Sequence, residues 1–328
     1  MNETDTGSRG RQSRPKGTSD LLPPESGRVR QLEATFRALV ESFGFAEVIT
    51  PVFEHTEVFV KSAGVVSDIV TKEMYRFTDR SDRDLTLRPE GTPGVVRAVL
   101  ENRFRIPCRL YYVGPFFRYS RPQKGRYREF HQLGVEALGE AAPETDAEVI
   151  FIGAEFFRRV GIADCTVQLN TIGCRTCRPE FRTLLVEFLN AKQDRLCAEC
   201  QTRTDINPLR VFDCKSESCQ AVLEHAPKPR EHVCHRCAEH FIGVQQGLER
   251  RGLAFTINDR LVRGLDYYNR TTFEYTSNAL GAQDSLGGGG RYDYLVAQFG
   301  GPDTAAVGFA LGLERTMLAL PPVKDEPR

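Results

Sequence analysis

Between Val29 and Phe43 the apolar residues Val29, Leu32, Phe36, Leu39, Val40 and Phe43 recur every three or four positions. That period puts them on one face of a helix, which Gly44 stops. The next stretch, FAEVITPVFE, reads as a strand interrupted by Pro51. Residues Met74 to Phe77 and Asp84 to Leu87 alternate around a charged turn, so they predict a hairpin. RPEGTPG then leads into a helix from about Val95 to Asn102. A longer hairpin follows, in which Leu110 to Val113 and Phe130, Leu133 and Val135 flank a loop marked by Pro122 and Gly125. ETDAEVIFIGAEFFRRVGI has helical apolar spacing, and CTVQLNT reads as a strand.

From Gly173 to about His240 this rhythm gives way to CRTCRPEFRTLLVEFLN, LCAECQTRTDINPLRVFDCKSESC and HVCHRC. The shift in composition predicts an inserted module. Strand-like alternation resumes in LAFTINDRLVRGLDYYNRTTFEYTS, expected as two strands around a turn near Gly264. DSLGGGGRYDYLV is expected to be a glycine turn leading into a helix, and AAVGFALGLERTMLAL a short strand entering another. The organisation that follows is a disordered tail at 1–14, a main domain at 15–172 and 251–328, and a Cys-rich insertion at 173–250.

The 328 residues suffice for one large domain and a smaller one. With 44 basic and 44 acidic residues the net charge is zero, so no global field draws in a polyanion, and any such ligand must bind local patches. No apolar run is long enough to span a membrane, and the polar start MNETDTGSRGRQSRPKG has no signal core. A cytoplasmic location and no membrane partner are expected. Eight of the ten cysteines fall between Cys174 and Cys237, a spacing that in a cytosolic protein favours metal over disulfide. Cys174-x2-Cys177 and Cys197-x2-Cys200 lie nineteen residues apart, which suits a structural four-thiolate zinc site. Cys214, Cys219, Cys234 and Cys237 would make a second, and reduced half-buried thiols are the other reading.

The central hairpin loop holds Arg118, Arg121, Lys124, Arg126 and Arg128, five cations in eleven residues with no acid before Glu129. Guanidinium forks grip phosphate oxygens in pairs, although such a run can also be a solvated turn. Glu90 and Thr92 stand on a turn into a helix, where capping alone could explain them. Gly287 to Gly290 lack a following G-K-[ST], so they are no Walker loop.

Combined, these segments resemble one family. FRYSRPQKGRYREFHQ closely resembles motif 2 of the class II aminoacyl-tRNA synthetases in its histidyl-tRNA synthetase form. The amphipathic helix and Pro51 strand are similar to motif 1, and GLER (Gly312 to Arg315) to motif 3. LRPEGT, LVRGLDYY and GGGRYD also match histidyl-tRNA synthetase segments, and the resemblance runs from Arg14 to Leu320. It implies an α+β fold: an antiparallel sheet flanked by helices, dimerising through motif 1.

The implied activity is ATP-dependent activation of L-histidine, with magnesium accompanying ATP, and transfer to tRNA(His). Arg118 and Arg263 would contact the α-phosphate, and Arg315 the adenine or γ-phosphate. Glu90 and Thr92 would hold the α-amino group, with Gln132, Glu136, Tyr267, Tyr268 and Tyr292 around the rest of the histidine. Arg121 and Gln123 would meet the tRNA acceptor end. Ser120 departs from the glutamate usual there, which bears on ATP affinity. The chain stops shortly after GLER, where family members continue into an anticodon-binding domain. A catalytically silent regulatory subunit of ATP phosphoribosyltransferase is therefore the alternative implied.

Overall fold

A computed structural model describes residues 13–64, 67–281 and 284–321; the expected N-terminal tail lies, up to residue 12, outside them. The first helix, α1 (Glu25–Ser42), buries Val29, Leu32, Phe36, Leu39 and Val40, the face that its periodicity marked. Two short strands flank Pro51, β1 (Ala46–Glu47) and β2 (Phe53–His55), before α2 (Thr56–Ala63). The expected small hairpin forms from β3 (Arg76–Thr78) and β4 (Asp84–Leu87), and α3 (Thr92–Glu101) follows, starting three residues earlier than expected. The long hairpin is β5 (Cys108–Phe117) and β6 (Glu129–Leu138), paired antiparallel throughout. Next come α4 (Pro143–Arg159) and β7 (Thr166–Thr171).

The module contains α5 (Arg178–Asn190), α6 (Ala198–Ile206) and α7 (Glu217–Leu223), joined by helical turns, and α8 (His235–Arg250) returns from it. After β8 (Phe255–Ile257) and β9 (Asn269–Thr276) come β10 (Ser285–Arg291), α9 (Leu295–Gln298), β11 (Ala306–Gly312) and α10 (Leu313–Ala319).

Among the described residues the large sheet has the order β1-β5-β6-β11-β10-β9-β7-β8. Its six central strands are antiparallel, while β1 joins β5 and β8 joins β7 in parallel. This architecture is the expected α+β class, helices packed on a largely antiparallel sheet.

Two details differ from the sequence reading. The run after residue 251 is no hairpin: β8 and β9 sit on opposite sides of β7. A parallel pair needs a long crossover, and the helical segment from α5 to α8 is that crossover between β7 and β8. Gly287 to Gly290 do not form a turn either; they run through the middle of β10. Glycine there removes side chains from a crowded sheet rather than bending the chain.

A period of two sorts the strands into two faces. Tyr111 of β5, Leu133, Val135 and Ala137 of β6, and Phe309 of β11 join the larger core, as does Phe273 of β9. Phe36 of α1, Ile150, Phe156 and Phe157 of α4, and Phe241, Val244 and Leu248 of α8 complete it. Thus α8 packs with the main domain although it lies within the span expected for the insertion.

A fully buried ion pair locks this core to β10: the Arg291 guanidinium meets Asp146 of α4, and both side chains have no exposure. Asp146 also accepts from Thr271 at 2.7 Å and faces His240 Nε2 of α8 at 2.8 Å. Burial disfavours the Asp146 carboxylate, but the Arg291 charge and the His240 hydrogen bond outweigh it and hold its pKa at about 2. The structure also re-sorts the cysteines: Cys174 and Cys177 join Cys234 and Cys237, whereas Cys197 and Cys200 join Cys214 and Cys219. The expected grouping of Cys174, Cys177, Cys197 and Cys200 is therefore wrong, because pairs adjacent in sequence are separated by the fold of α5.

Arg291→Met should cost about 3–5 kcal/mol in urea unfolding at neutral pH, because it strands a buried carboxylate. A folded pKa below the ordinary 3.8 means this stabilisation is complete above that value and fades as pH falls toward about 2. A loss of under about 1 kcal/mol, the range of an exposed pair, would contradict the account.

Candidate active site

The face of the sheet turned away from α1 and α4 sets glycines among larger residues. One row across it reads Tyr112, Gly134, Ala310, Gly288 and Glu274, on β5, β6, β11, β10 and β9. The next reads Leu110, Glu136, Gly308, Gly290 and Thr272. A Cβ on Gly288 would lie 2.8 Å from the Arg263 guanidinium, and one on Gly290 would lie 2.9 Å from the Tyr268 ring. These glycines let the Arg263 and Tyr268 side chains lie directly on the strand backbone. The result is a cavity of roughly 320 Å³, walled by the β4–α3 turn, the hairpin loop and the 258–268 loop.

Two carboxylates sit in or under this cavity. Glu90 is buried, and its Oε2 accepts from the Tyr267 hydroxyl at 2.7 Å, while its Oε1 is buried without a partner. Burial pushes Glu90 up to about 7, against the Tyr267 hydrogen bond and the Arg118 charge. Glu136 has no exposure and accepts from the hydroxyls of Thr92, at 2.6 Å, and Tyr292. Burial pushes it up to about 8; the Thr92 and Tyr292 bonds pull the other way, and the Glu90 charge adds to the rise. The Gln132 carbonyl oxygen is likewise buried and unpartnered. Unsatisfied buried acceptors are expensive, so an ammonium brought here is welcome.

Three arginines close the other end. Arg118, at the end of β5, donates from Nε to the Pro89 carbonyl at 2.9 Å, with its guanidinium 5.4 Å from the Phe130 ring centre. Arg263 pairs with Glu274 at 3.1 Å, and its Nε is buried without an acceptor. Arg315, in the first turn of α10, donates to the carbonyls of Gly125 at 3.0 Å and Ser285 at 2.7 Å, tying α10 to the hairpin loop and β10. A wider hollow of roughly 770 Å³ beside α2 and α3 holds none of the buried, unpartnered polar atoms found among the described residues.

Glu90, Thr92, Arg118, Gln132, Arg263, Tyr267, Tyr268 and Arg315 all line the one cavity. Glu136 and Tyr292 lie a layer beneath, bonded to each other and through Thr92 to the wall. Arg121 and Gln123 are exposed on the hairpin loop, outside the lining. Ser120 is buried in the wall, and the nearby Glu73 carboxylate pairs with Arg126 of the same loop.

The sequence reading missed supporting groups. Glu274 holds Arg263, and Glu314 accepts from the His131 backbone N–H at 2.9 Å and faces its Nδ1 at the same distance. From the module, Arg178 Nη1 donates to the Tyr268 carbonyl at 2.9 Å. Asn207 donates to Asp266 at 2.6 Å and Arg210 to the Gly264 carbonyl at 2.8 Å. Glu314 was visible inside GLER; Glu274 lies eleven positions from Arg263, and the contacts from the module join segments far apart in sequence.

Comparison with known proteins places nearly the whole chain among related sequences and folds. The histidyl-tRNA synthetase family model matches residues 17–316. A histidine–tRNA ligase from Moorella thermoacetica is 51% identical over 318 residues, covering 96% of this chain and 75% of that protein. One from Desulforudis audaxviator is 52% identical over 93% of this chain and 74% of its own length. The crystal structure of apo S. aureus histidyl-tRNA synthetase superposes with a TM-score of 0.76 at 33% identity, over 94% of this chain and 73% of that one. A Bacillus halodurans protein described as an ATP phosphoribosyltransferase regulatory subunit/histidyl-tRNA synthetase shares the fold at 23% identity, with a TM-score of 0.70. With most of its length matched by the family model and half its residues identical to named ligases, this chain belongs to the histidyl-tRNA synthetase family.

Proposed function

We propose that this chain activates L-histidine with ATP and passes the histidyl group to tRNA(His), as a histidine–tRNA ligase. The observation that carries the reading is one cavity that holds the Arg118 and Arg263 cations together with the unpaired Glu90 oxygen. Glu90 and Thr92 take the substrate ammonium, a charge that buried acceptors satisfy. Tyr267, Tyr268 and Gln132 surround the side chain, and Glu136 with Tyr292 support that pocket from below. The histidine carboxylate attacks the α-phosphorus, the α–β bridging bond breaks, and pyrophosphate leaves. A terminal ribose hydroxyl of the tRNA then attacks the acyl carbonyl and AMP departs.

Arg118 and Arg263 brace the α-phosphate from two sides as its charge builds, so catalysis is positioning plus electrostatics. Magnesium bound with the nucleotide would neutralise charge on its phosphates. Arg315 reaches the adenine or γ-phosphate, and the exposed Arg121 and Gln123 meet the tRNA acceptor end. No described helix is long and apolar enough to cross a membrane, in keeping with a cytoplasmic setting. Two copies meet through the segment around Ile49 and Phe53, whose exposures of 86% and 55% suit a covered surface.

Histidine-dependent pyrophosphate exchange should fall about 10²–10³-fold in Arg263→Ala, the usual cost of losing a preorganised donor. Far-UV circular dichroism should stay unchanged, and undiminished exchange would remove Arg263 from the mechanism. A cation favours the ionised form of Glu90, so at low pH binding must first remove its proton. The KM for histidine should therefore fall as pH rises through about 7. Glu90→Gln should bind more weakly and lose that dependence, whereas a variant profile matching the parent's would exclude Glu90 as the titrating group.

A further inference from the structure

Eight cysteines from four separate chain segments converge into two tetrads, and within each tetrad the sulfurs lie within 4.8 Å of one another. In the first, Cys174 Sγ is 3.8 Å from Cys177 Sγ and 3.9 Å from Cys234 Sγ. In the second, Cys197 Sγ is 3.8 Å from Cys214 Sγ. These separations are far too long for a disulfide, whose sulfurs lie about 2.05 Å apart. They are the spacing that a tetrahedral zinc ion requires, since bonds of about 2.3 Å to four thiolates place the sulfurs about 3.8 Å from one another. We propose that the protein binds two structural zinc ions, one on Cys174, Cys177, Cys234 and Cys237 and one on Cys197, Cys200, Cys214 and Cys219.

The surroundings suit four thiolates around a dication, a unit with two net negative charges. Backbone N–H groups aim at the sulfurs: Cys174 donates to Cys177 Sγ at 3.2 Å, Cys197 to Cys219 Sγ at 3.2 Å, and Ser216 to Cys214 Sγ at 3.4 Å. Such outer donors orient metal-bound thiolates and spread their charge. Arg175 and Arg236 line the hollow beside the first tetrad, bringing cations close to it. Each tetrad takes two ligands from each of two short motifs: C-x2-C with C-x2-C in the first, C-x2-C with C-x4-C in the second. Cys200 and Cys219 have no exposure, and with Cys214 they sit in a buried cluster that includes Phe181, Leu185, Val211 and Val222 of the surrounding lobe. The helices around it are short, α6 with nine residues and α7 with seven, and helices of that length need an external staple.

The two sites have different jobs. The first joins the segment that leaves β7 to the one that enters α8, and so closes the neck of the crossover module. The second holds the lobe from which Asn207 and Arg210 reach the 258–268 loop. Neither touches the substrate cavity, so zinc here orders scaffold and takes no part in the chemistry.

The test uses the full chain purified without a histidine tag under reducing conditions. Elemental analysis should find two zinc ions per chain, and none, one, or iron in their place would overturn the proposal. Zinc is then withdrawn by limiting chelator while newly freed thiols are alkylated and located by mass spectrometry. Cys174, Cys177, Cys234 and Cys237 should become reactive as one group, and Cys197, Cys200, Cys214 and Cys219 as another. Release of Cys174, Cys177, Cys197 and Cys200 together would refute the ligand sets. Full alkylation of all eight before any chelator is added would refute the sites themselves.

Discussion

Glycines on one face of the sheet let polar and charged side chains lie against the strand backbone, and the rest of this molecule follows from that close approach. Across three adjacent strands, Gly134 and Gly308 make room for the Tyr112 ring and the Glu136 carboxylate, and Gly288 and Gly290 for Arg263 and Tyr268. Into the cleared space come charged groups that a packed face would exclude: Glu90 and Arg118 from one wall, Arg263 from the other. Carboxylates so enclosed are pushed toward neutrality, and buried oxygens are left without donors. The cavity is thus held in an unsatisfied state that the proposed ligands, an amino acid's ammonium and a nucleotide's phosphate, would relieve together. Binding energy spent there serves positioning, which is what phosphoryl transfer chiefly needs.

Keeping such a cavity open requires stiffness behind it. The opposite face supplies this through Phe36, which meets Phe156 of α4 and Phe309 of the sheet edge to face, and through Tyr275, which meets Phe273 and Phe309 in the same way. Asp146 and Arg291 add a buried charge pair at the end of β10, one residue before Tyr292, so the glycine strand cannot slide. Arg88 performs a similar task on the other side. It donates to the carbonyls of Thr50 at 2.9 Å and Pro115 at 2.8 Å while its guanidinium stacks 4.5 Å from the Phe116 ring centre. The module completes the frame by holding the backbone of the Tyr268 loop.

Local signals carried much of this into the sequence. The α1 periodicity, the central hairpin and the LRPEGT turn were legible because each is set by residues within a few positions of one another. Family resemblance then supplied roles for Arg118, Arg263 and Arg315 that spacing alone never would. What stayed hidden was non-local. Alternation in Phe255–Ile257 and Asn269–Thr276 announces strands but not partners, so a parallel edge looked like a hairpin. A glycine run reads as a turn by propensity, and only the crowding of neighbouring strands makes it a strand. The cysteine groups were mispaired because nearness in sequence stood in for nearness in space. Arg291 and Asp146 are 145 positions apart, and nothing local to either segment announces their pairing.

The proposed chemistry depends on a single nucleotide phosphate meeting two guanidinium groups beside a carboxylate that would take the ammonium. A crystal structure with a non-hydrolysable histidyl-adenylate analogue tests this most directly. The phosphate mimic should lie within hydrogen-bonding distance, about 3 Å, of both Arg118 and Arg263, with the ammonium against Glu90. Density for the analogue in the hollow beside α2 and α3, or with either arginine turned away from it, would contradict the account.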